Sequence, residues 1–215
     1  MSESSRLINL KPREVAQLAT ELKVSRRCTE LKLCTKDDDP GVGDAGVAEL
    51  ASALATNTSL TTLECWSSGV GALGVASIAS ALNATLTKLN LGGNLCGIRG
   101  LDALAKALEC NSSLRELNLS YAGLGREGAA ALARGLAANH GLTSLSLASN
   151  DFGNEGAAAL APALTSNSTL ASLDLSYNGI GAAGADALAA ALAHNAALTA
   201  LSLENNKVDG GAGLA

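Results

Sequence analysis

Leucines recur along the chain in a pattern that predicts one strand and one helix per unit. In the segment 114–141, Leu117 and Leu119 stand two residues apart, which places both on one face of a short strand. An alanine-rich stretch follows in which Leu132 and Leu136 are four residues apart, the spacing of one helix face. A glycine precedes this helical stretch. The unit therefore predicts a strand, a turn, a helix and a return to the next strand.

The unit recurs seven times. Its first position falls at Cys28, Leu60, Leu86, Leu114, Leu142, Leu170 and Leu198, and we number the units in that order. The segments 114–141, 142–169 and 170–197 each have 28 residues. The first unit is longer because of the insertion Asp37-Asp38-Asp39-Pro40, and the second lacks two residues after Leu82. A fixed period of this length predicts a stacked solenoid.

Stacking such units dictates the shape of the array. Parallel strands lie about 4.8 Å apart, whereas helices need about 8 to 10 Å. The sheet of about seven parallel strands must therefore line the concave side of an arc, with the helices on its convex side. The sequence predicts an α/β solenoid.

Asparagines mark two points of the unit. One group follows the strand, where a buried amide can bond backbone groups of neighbouring turns. This group comprises Asn94, Asn150, Asn178 and Asn206, and it is interrupted at Ser68 and Ala122, where other partners are expected. The other group falls where the helix must end, and we expect it in the left-handed conformation. It comprises Asn111, Asn139, Asn167 and Asn195.

The units resemble leucine-rich repeats of the ribonuclease-inhibitor-like class, which has a long, helix-containing unit. That class also appears in Ran GTPase-activating protein and in the sensing region of nucleotide-binding immune receptors. The resemblance covers residues 28–215 and implies a curved leucine-rich-repeat solenoid. It implies a binding role without naming the partner, because this fold hosts many functions.

The two ends of the array differ. Residues 1–27 are predicted to form an N-terminal capping segment, with a helix that begins near Pro12 and has an apolar stripe including Val15 and Leu22. The repeats occupy 28–215, and the last is incomplete and uncapped because little chain follows Gly211. Either the chain is a piece of a longer protein, or a partner or a second copy covers this edge. Self-association through the edge is one prediction.

Composition narrows the choice of partner and compartment. Hydrophobic residues make up 47% of the chain, but aromatic residues only 2%, so the core must be built from aliphatic layers. The net charge of −5 gives no reason to expect nucleic acid and favours a basic protein partner. We find no signal peptide or membrane span. Five irregularly spaced cysteines indicate a reducing, cytoplasmic location without disulfides or zinc.

The third, fifth, seventh and eighth positions of each unit are predicted to face the concave surface. Three of the four aromatic residues fall there, and so do five acids against two lysines. The predicted partner-binding residues are Trp66, Tyr121, Tyr177, Glu30, Glu64, Glu116, Asp174 and Glu204. The rings could simply fill strand surface. We favour the alternative, that they anchor a protein partner, because exposed Trp and Tyr contribute strongly to interfaces.

No arrangement of residues indicates catalysis, a cofactor or a metal site. His140 and His194 lie at different unit positions and are predicted on the surface. Phe152 is expected in the core, and so are Cys28 and Cys65. Cys34 is expected on the concave surface as an inert thiol, and the acidic insertion as a solvated turn.

The function predicted from the sequence is a non-catalytic protein-interaction scaffold or sensor. One alternative is a GTPase-activating regulator of the Ran GTPase-activating protein type, in which Arg99 and Arg126 would act from loops after the strands. Another is the recognition portion of a larger immune-type receptor.

Overall fold

Strands and helices alternate throughout the part of the chain that the computed structural model describes, residues 5–8, 12–33 and 41–208. The elements are β1 (Ser5–Ile8), α1 (Pro12–Val24), β2 (Glu30–Leu33), α2 (Gly43–Leu54), β3 (Thr62–Glu64), α3 (Ala72–Ala81), β4 (Lys88–Asn90), α4 (Gly97–Cys110), β5 (Glu116–Asn118), α5 (Gly125–Ala138), β6 (Ser144–Ser146), α6 (Gly153–Ser166), β7 (Ser172–Asp174), α7 (Ala182–Leu192) and β8 (Ala200–Ser202). The strands form one parallel sheet in chain order, β1 to β8. All seven predicted strands are present. The additional strand, β1, precedes the predicted capping helix.

One row of leucines runs across the sheet. Each strand from β2 to β8 places a leucine opposite that of the next strand, at Leu31, Leu63, Leu89, Leu117, Leu145, Leu173 and Leu201. The row packs with the inner faces of the helices into one continuous core, whose buried ring is Phe152. Burying a leucine side chain stabilises the fold by about 2 kcal/mol, so the repeated layers replace a core of large rings.

Small residues let the helices approach closely on the convex side. A Cβ atom at Gly135 in α5 would lie 2.5 Å from the carbonyl oxygen of Ala105 in α4. Since such a distance is too short for two heavy atoms, the α4–α5 packing requires glycine there. Close helix packing of this kind limits the curvature that the narrower strand spacing imposes.

The asparagines that follow the strands tie adjacent turns together as predicted. Asn150 accepts hydrogen bonds at Oδ1 from the amides of Ala122 and Leu124, and its Nδ2 donates to the carbonyl oxygens of Leu119 and Leu147 at 2.9 Å. Asn94, Asn178 and Asn206 repeat this pattern. We call this series the turn ladder.

The turn ladder is interrupted at the predicted places. At Ser68 the hydroxyl donates to the carbonyl oxygens of Leu33 and Trp66, which gives this turn side-chain hydrogen bonds of its own. At Ala122 a buried methyl group takes the place of the asparagine side chain found at Asn94, Asn150, Asn178 and Asn206. The amides of Asn94 and Cys96, which occupy the places of Ala122 and Leu124 one unit earlier, therefore lack an asparagine acceptor.

The asparagines at the helix ends act differently from the prediction. Asn111, Asn139 and Asn167 have φ between −88° and −76° and are extended, so the left-handed assignment is wrong. At the end of each helix, the asparagine side chain forms hydrogen bonds with backbone groups of the preceding unit and with backbone amides that follow the asparagine in sequence. Asn139, for example, donates to the carbonyl oxygens of Leu108 and Asn111, and its Oδ1 accepts from the amides of Gly141 and Leu142.

The same bonds recur from unit to unit and form a second ladder at the opposite edge of the sheet, which we call the return ladder. Its members are Asn57, Asn83, Asn111, Asn139, Asn167 and Asn195. This ladder is continuous from the first unit to the sixth.

Three features predicted from the sequence lie outside the described residues: the Cys34 thiol, the acidic insertion 37–40 and the chain after Gly211.

Candidate functional site: the concave face

On the concave face, the third and fifth unit positions are mostly half-buried, and the eighth is partly or fully exposed. The seventh is mostly buried, since Ser120, Ala148 and Ser176 have exposed fractions of 6%, 8% and 7%. The prediction for this row is therefore wrong in these units. The strands end at the fifth position, so the seventh residue belongs to the turn that closes over the core. There are two exceptions: the large ring of Trp66 extends beyond the turn and is 41% exposed, and Glu204 in the last unit is also exposed.

Trp66 and Tyr121 lie two units apart and are in contact. Their ring centroids are 6.0 Å apart with an interplanar angle of 75°, an edge-to-face arrangement. Gly92 occupies the Trp66 position in the unit between them. A Cβ atom there would collide with the indole ring, so the glycine leaves the space over which Trp66 lies.

Both tyrosines sit in the left-handed backbone region. Tyr121 has φ of 56° and Tyr177 has φ of 57°, and both side chains are exposed. Their unit position, the eighth, also has a positive φ at Ser67, Gly93 and Ser149. The turn therefore requires this conformation, which costs a bulky residue about 1 to 2 kcal/mol relative to an ordinary conformation.

Lysines and glutamates alternate across the first half of the concave face. Lys32 Nζ lies 3.4 Å from the Glu64 carboxylate, Lys88 lies 3.8 Å from Glu64, and Lys88 lies 3.5 Å from Glu116. Two lysines thus compensate two of the predicted partner-binding acids. A groove over β3 to β6 is lined by Glu64, Lys88 and Glu116 together with Asn90, Asn118, Ser144 and Ser146.

Hydroxyl groups cover the second half of the face and surround Asp174. Its carboxylate accepts hydrogen bonds from the Ser176 hydroxyl at 2.6 Å and the Ser146 hydroxyl at 3.2 Å. Ser146 and Ser176 continue this chain to Ser120 and Ser202, each at 2.7 Å between hydroxyl oxygens. Asp174 is consequently fixed in orientation.

The structure divides the predicted site residues into groups. Trp66, Tyr121, Glu64 and Glu116 fall in units two to four, around the edge-to-face pair and the groove. Tyr177, Asp174 and Glu204 fall in the last two units, and Glu30 lies on β2 near the other end of the sheet. The turn ladder and strand register hold all of them on one surface.

Three exposed aliphatic side chains were not among the residues predicted from the sequence. Leu73, Leu95 and Ile98 lie beyond the carboxyl ends of β3 and β4. The sequence pattern could have pointed to Leu95, because it occupies the unit position at which the neighbouring units have Gly69 and Gly123. An apolar residue in a turn position that elsewhere carries glycine has no core to fill.

Other predicted residues also have a definite place. Phe152 is buried and both histidines are exposed, as predicted. Arg99 and Arg126 lie in the first turns of α4 and α5 rather than in loops, because these helices begin directly after the left-handed turn. Within the described ranges, no cluster of three His, Cys, Asp or Glu side chains could hold a metal ion. No helix in those ranges has the length and apolarity needed to cross a bilayer.

The described cysteines are reduced, and three of them, Cys28, Cys65 and Cys96, are buried as small hydrophobic residues. Burial raises the pKa of the Cys65 thiol to about 12, and the Glu64 charge adds to the shift. Burial also raises the pKa of the Cys96 thiol to about 12. These thiols therefore stay protonated and unreactive at neutral pH. Cys110 is exposed.

Comparison with known proteins identifies the architecture. The family model described as "Leucine Rich repeat" matches residues 110–133, 138–161 and 166–189. Comparison with curated proteins gave no match. The fold is a leucine-rich-repeat α/β solenoid.

Among solved structures, the chain is similar to one named "Leiomodin-1 Actin-Binding Site 2 (ABS2)". The sequence identity is 27%, the TM-score is 0.56, and the match covers 61% of this chain and 78% of that one.

Proposed function

We propose that the protein is a non-catalytic protein-interaction scaffold or sensor that binds a protein partner through its concave face. Trp66, Tyr121 and Tyr177 would be the main anchors. The leucine-rich-repeat fold and its structural neighbour support a protein-binding role. The 28-residue unit with a full helix supports assignment to the ribonuclease-inhibitor-like class.

The conformation of the tyrosines is the observation that carries the proposal. Tyr121 and Tyr177 occupy a left-handed turn position that glycine fills without strain at Gly93. Neither ring is buried in the core, so core packing does not offset the strain. Strained residues of this kind concentrate where a protein binds or reacts. Large exposed rings on a rigid scaffold are typical interface anchors.

The charge pattern suggests where basic groups of the partner would bind. In the first half of the face, Lys32 and Lys88 compensate Glu64 and Glu116. In the second half, Asp174 precedes Tyr177 by three residues, and the side chains around it are uncharged serines. The Tyr177 amide donates to the backbone carbonyl of Glu204, which brings a second acid to this turn. We infer that basic side chains bind around Tyr177, and that Trp66 and Tyr121 receive a neutral or mixed surface.

Affinity capture followed by quantitative mass spectrometry tests the proposal. The baits are the intact chain, a variant with Trp66→Ala, Tyr121→Ala and Tyr177→Ala, and a control with Glu49→Ala, Lys106→Ala and Glu109→Ala on the convex helices. A partner confirmed by direct titration should bind the intact chain and the control equally. We expect the aromatic variant to lose about tenfold or more in affinity. Equal affinity for the aromatic variant would exclude the concave site.

Filamentous actin is a defined probe for the same experiment, because the similar solved structure is named as an actin-binding site of leiomodin-1. Cosedimentation with actin that disappears in the aromatic variant would identify the partner. Cosedimentation that persists in that variant would place actin binding on another surface and contradict the proposed site.

The GTPase-activating and immune-receptor alternatives stay predictions. A GTP hydrolysis assay with small GTPases separates the first from the scaffold function. Acceleration that is lost in Arg99→Ala or Arg126→Ala would replace the scaffold proposal.

Hydrogen-bonded sequons support a cytoplasmic location. Four of the five Asn-x-Ser/Thr motifs belong to the return ladder, at Asn57, Asn83, Asn111 and Asn167, where Nδ2 donates to backbone carbonyl groups. A glycan on these nitrogens would replace one of the two N–H donors and place a bulky sugar between adjacent units before the chain could fold. Directing the chain into the secretory pathway should therefore yield glycosylated, unfolded protein, which enzymatic removal of glycans and protease digestion would detect. A glycosylated but protease-resistant chain would contradict this inference.

Self-association through the last strand remains a further proposal. Leu201 and Leu203 on and beside β8 are partly exposed, whereas their equivalents Leu173 and Leu175 are buried. Sedimentation at increasing concentration should show reversible association. Strictly monomeric behaviour at high concentration would exclude it.

A further inference from the structure

Exposed apolar side chains are concentrated at one edge of the array. Of the seven large hydrophobic residues that are exposed in the described part of the chain, five fall within 66–121. Leu73 and Leu95, at 70% and 77% exposed, lie outside the concave face, beyond the carboxyl ends of the strands. Isolated exposed leucines are ordinary, but a group on one edge indicates an interaction surface.

Leu73 in unit two and Leu95 and Ile98 in unit three all lie beyond the carboxyl ends of their strands, and we call them the rim patch. A shallow depression lined by Gly69, Gly71, Gly93 and Leu95 separates the turns of units two and three. Leu95 reaches the fourth unit, because a Cβ atom at Gly123 would lie 3.1 Å from its Cδ2 atom.

The starts of α3 and α4 also touch. A Cβ atom at Gly97 would lie 3.1 Å from that of Ala72. Leu73 and Ile98 follow these two residues directly in sequence, so both lie at the starts of these adjoining helices.

The interruption of the turn ladder explains why Leu95 is exposed. In the other units, the amides that bond the asparagine flank a left-handed residue, for example Gly123 between Ala122 and Leu124. Leu95 is not left-handed, and the following unit has Ala122 in place of the asparagine. Compared with the units that bond an asparagine, the third unit therefore lacks the hydrogen bonds from two backbone amides to the asparagine Oδ1 atom, and it carries an exposed leucine instead. Neither the missing hydrogen bonds nor the exposed leucine stabilises the fold, so folding stability does not explain why the unit has them.

Positive charge borders the rim patch on its helix side. Arg99 follows Ile98 in α4, and Arg126 lies in the first turn of α5, both exposed. In the described ranges, neither has an ion pair, although Glu127 is next to Arg126 in sequence. The remaining acid near the start of α4, Asp102, is paired with Arg134 at 2.6 Å. The local charge is therefore opposite to the net charge of −5 of the whole chain.

We propose that the rim patch is a second docking surface, distinct from the concave face, for a protein segment that combines apolar and acidic side chains. Apolar side chains of the segment pack on Leu95 and Ile98, and its carboxylates pair with Arg99 and Arg126. The apolar contacts supply affinity, and the charges set orientation and select against basic segments.

Selection from a phage-displayed library of random short peptides on the intact chain tests the proposal. The expected peptides combine Leu, Ile or Phe with Asp or Glu. Titration of a selected synthetic peptide should show about a tenfold loss of affinity for L95S/I98S and for R99E. The matched controls are V24S, an exposed apolar residue far from the rim, and K106E, the same charge change farther along α4. Both controls should bind as the intact chain does, and circular dichroism verifies that all variants are folded.

Three results would overturn the proposal. The selected peptides could be basic or lack apolar residues, they could bind L95S/I98S as tightly as the intact chain, or the aromatic concave variant could abolish their binding. A dimer in sedimentation that dissociates in L95S/I98S would mean that a second copy is the occupant, which also contradicts the proposed segment.

Discussion

The indole ring of Trp66 meets the ring of Tyr121 edge to face at 6.0 Å, across a unit that contributes Gly92 in place of a side chain. The contact joins residues from units two and four, so it depends on the register of three consecutive strands. An aromatic pair held in this way is ordered before a partner arrives, which lowers the entropy cost of binding.

Substitution Gly92→Ala should displace the indole, because the added methyl group would occupy the position of the ring. Trp66 is the sole tryptophan of the chain, so intrinsic fluorescence reports this site directly. We expect a red-shifted emission maximum and a loss of about 1 to 3 kcal/mol in the free energy of unfolding. Ser144→Ala, on the same face, should change neither quantity. An unchanged emission spectrum in Gly92→Ala would contradict the packing.

Ala122→Asn and Leu95→Gly should be coupled. An asparagine at position 122 can accept hydrogen bonds from the backbone amides of Asn94 and Cys96 only if Leu95, the residue between them, adopts a left-handed conformation. Glycine permits this conformation and leucine resists it. In a double-mutant cycle with urea unfolding, we expect the pair to be about 1 to 2 kcal/mol more stable than the sum of the single effects. Ala122→Asn with Leu73→Gly is the control and should be additive. Additivity in the first cycle would contradict the explanation of the interrupted ladder.

The buried thiols predict a loss of stability at alkaline pH. In the folded chain, burial raises the pKa of Cys65 and of Cys96 from 9.0 to about 12. The unfolded chain ionises first, so the stabilisation is complete below pH 9 and is lost as the pH rises toward 12. Each thiol should lower the free energy of unfolding by about 1.4 kcal/mol per pH unit in this range.

Replacing both thiols distinguishes their contribution to the pH dependence of stability from that of other groups that titrate at alkaline pH. Cys65→Leu and Cys96→Val introduce residues that equivalent positions already have, Leu91 and Val70. Thermal unfolding of this double variant between pH 8 and 11 should depend less steeply on pH than that of the intact chain. Parallel curves for the two proteins would show that the thiols do not contribute.

Lys88→Gln should change binding electrostatics more than stability. Its side chain is 43% exposed and pairs with Glu64 and Glu116 in water. Exposed pairs contribute about 0 to 1 kcal/mol, so urea unfolding should show only a small, salt-dependent loss. A loss above about 2 kcal/mol that is insensitive to salt would mean that the alternating charges support the fold.

Much of the architecture could be predicted because the leucine spacing encodes it. Residues such as Leu117 and Leu145 pair across strands since each unit places its leucine at the same point of the period. Strand β1 was missed because Arg6, Leu7 and Ile8 lack the spacing of the later units.

The parts of the site that escaped prediction depend on neighbouring units. The period indicates that Ser120 follows the strand, but its burial depends on the turn and on Ser146 in the next unit. Asn139 has the residue type of a left-handed helix stop, yet bonding to the carbonyl groups of Leu108 and Asn111 holds it extended. The contact between Trp66 and Tyr121 could not be predicted from either unit, because Gly92 in the unit between them makes the space.

The two asparagine ladders give the arc unequal bending stiffness. The return ladder runs without interruption from the first unit to the sixth, while the turn ladder is broken at Ala122 on the opposite edge of the sheet. Opening the arc between units three and four therefore stretches fewer hydrogen bonds at the carboxyl edge than at the amino edge. This seam lies where Trp66 and Leu95 both reach toward the fourth unit. With fewer side-chain hydrogen bonds at the carboxyl edge, this junction should deform more easily there than at its amino edge, so a partner bound near Trp66 and Leu95 would twist the array at a low elastic cost.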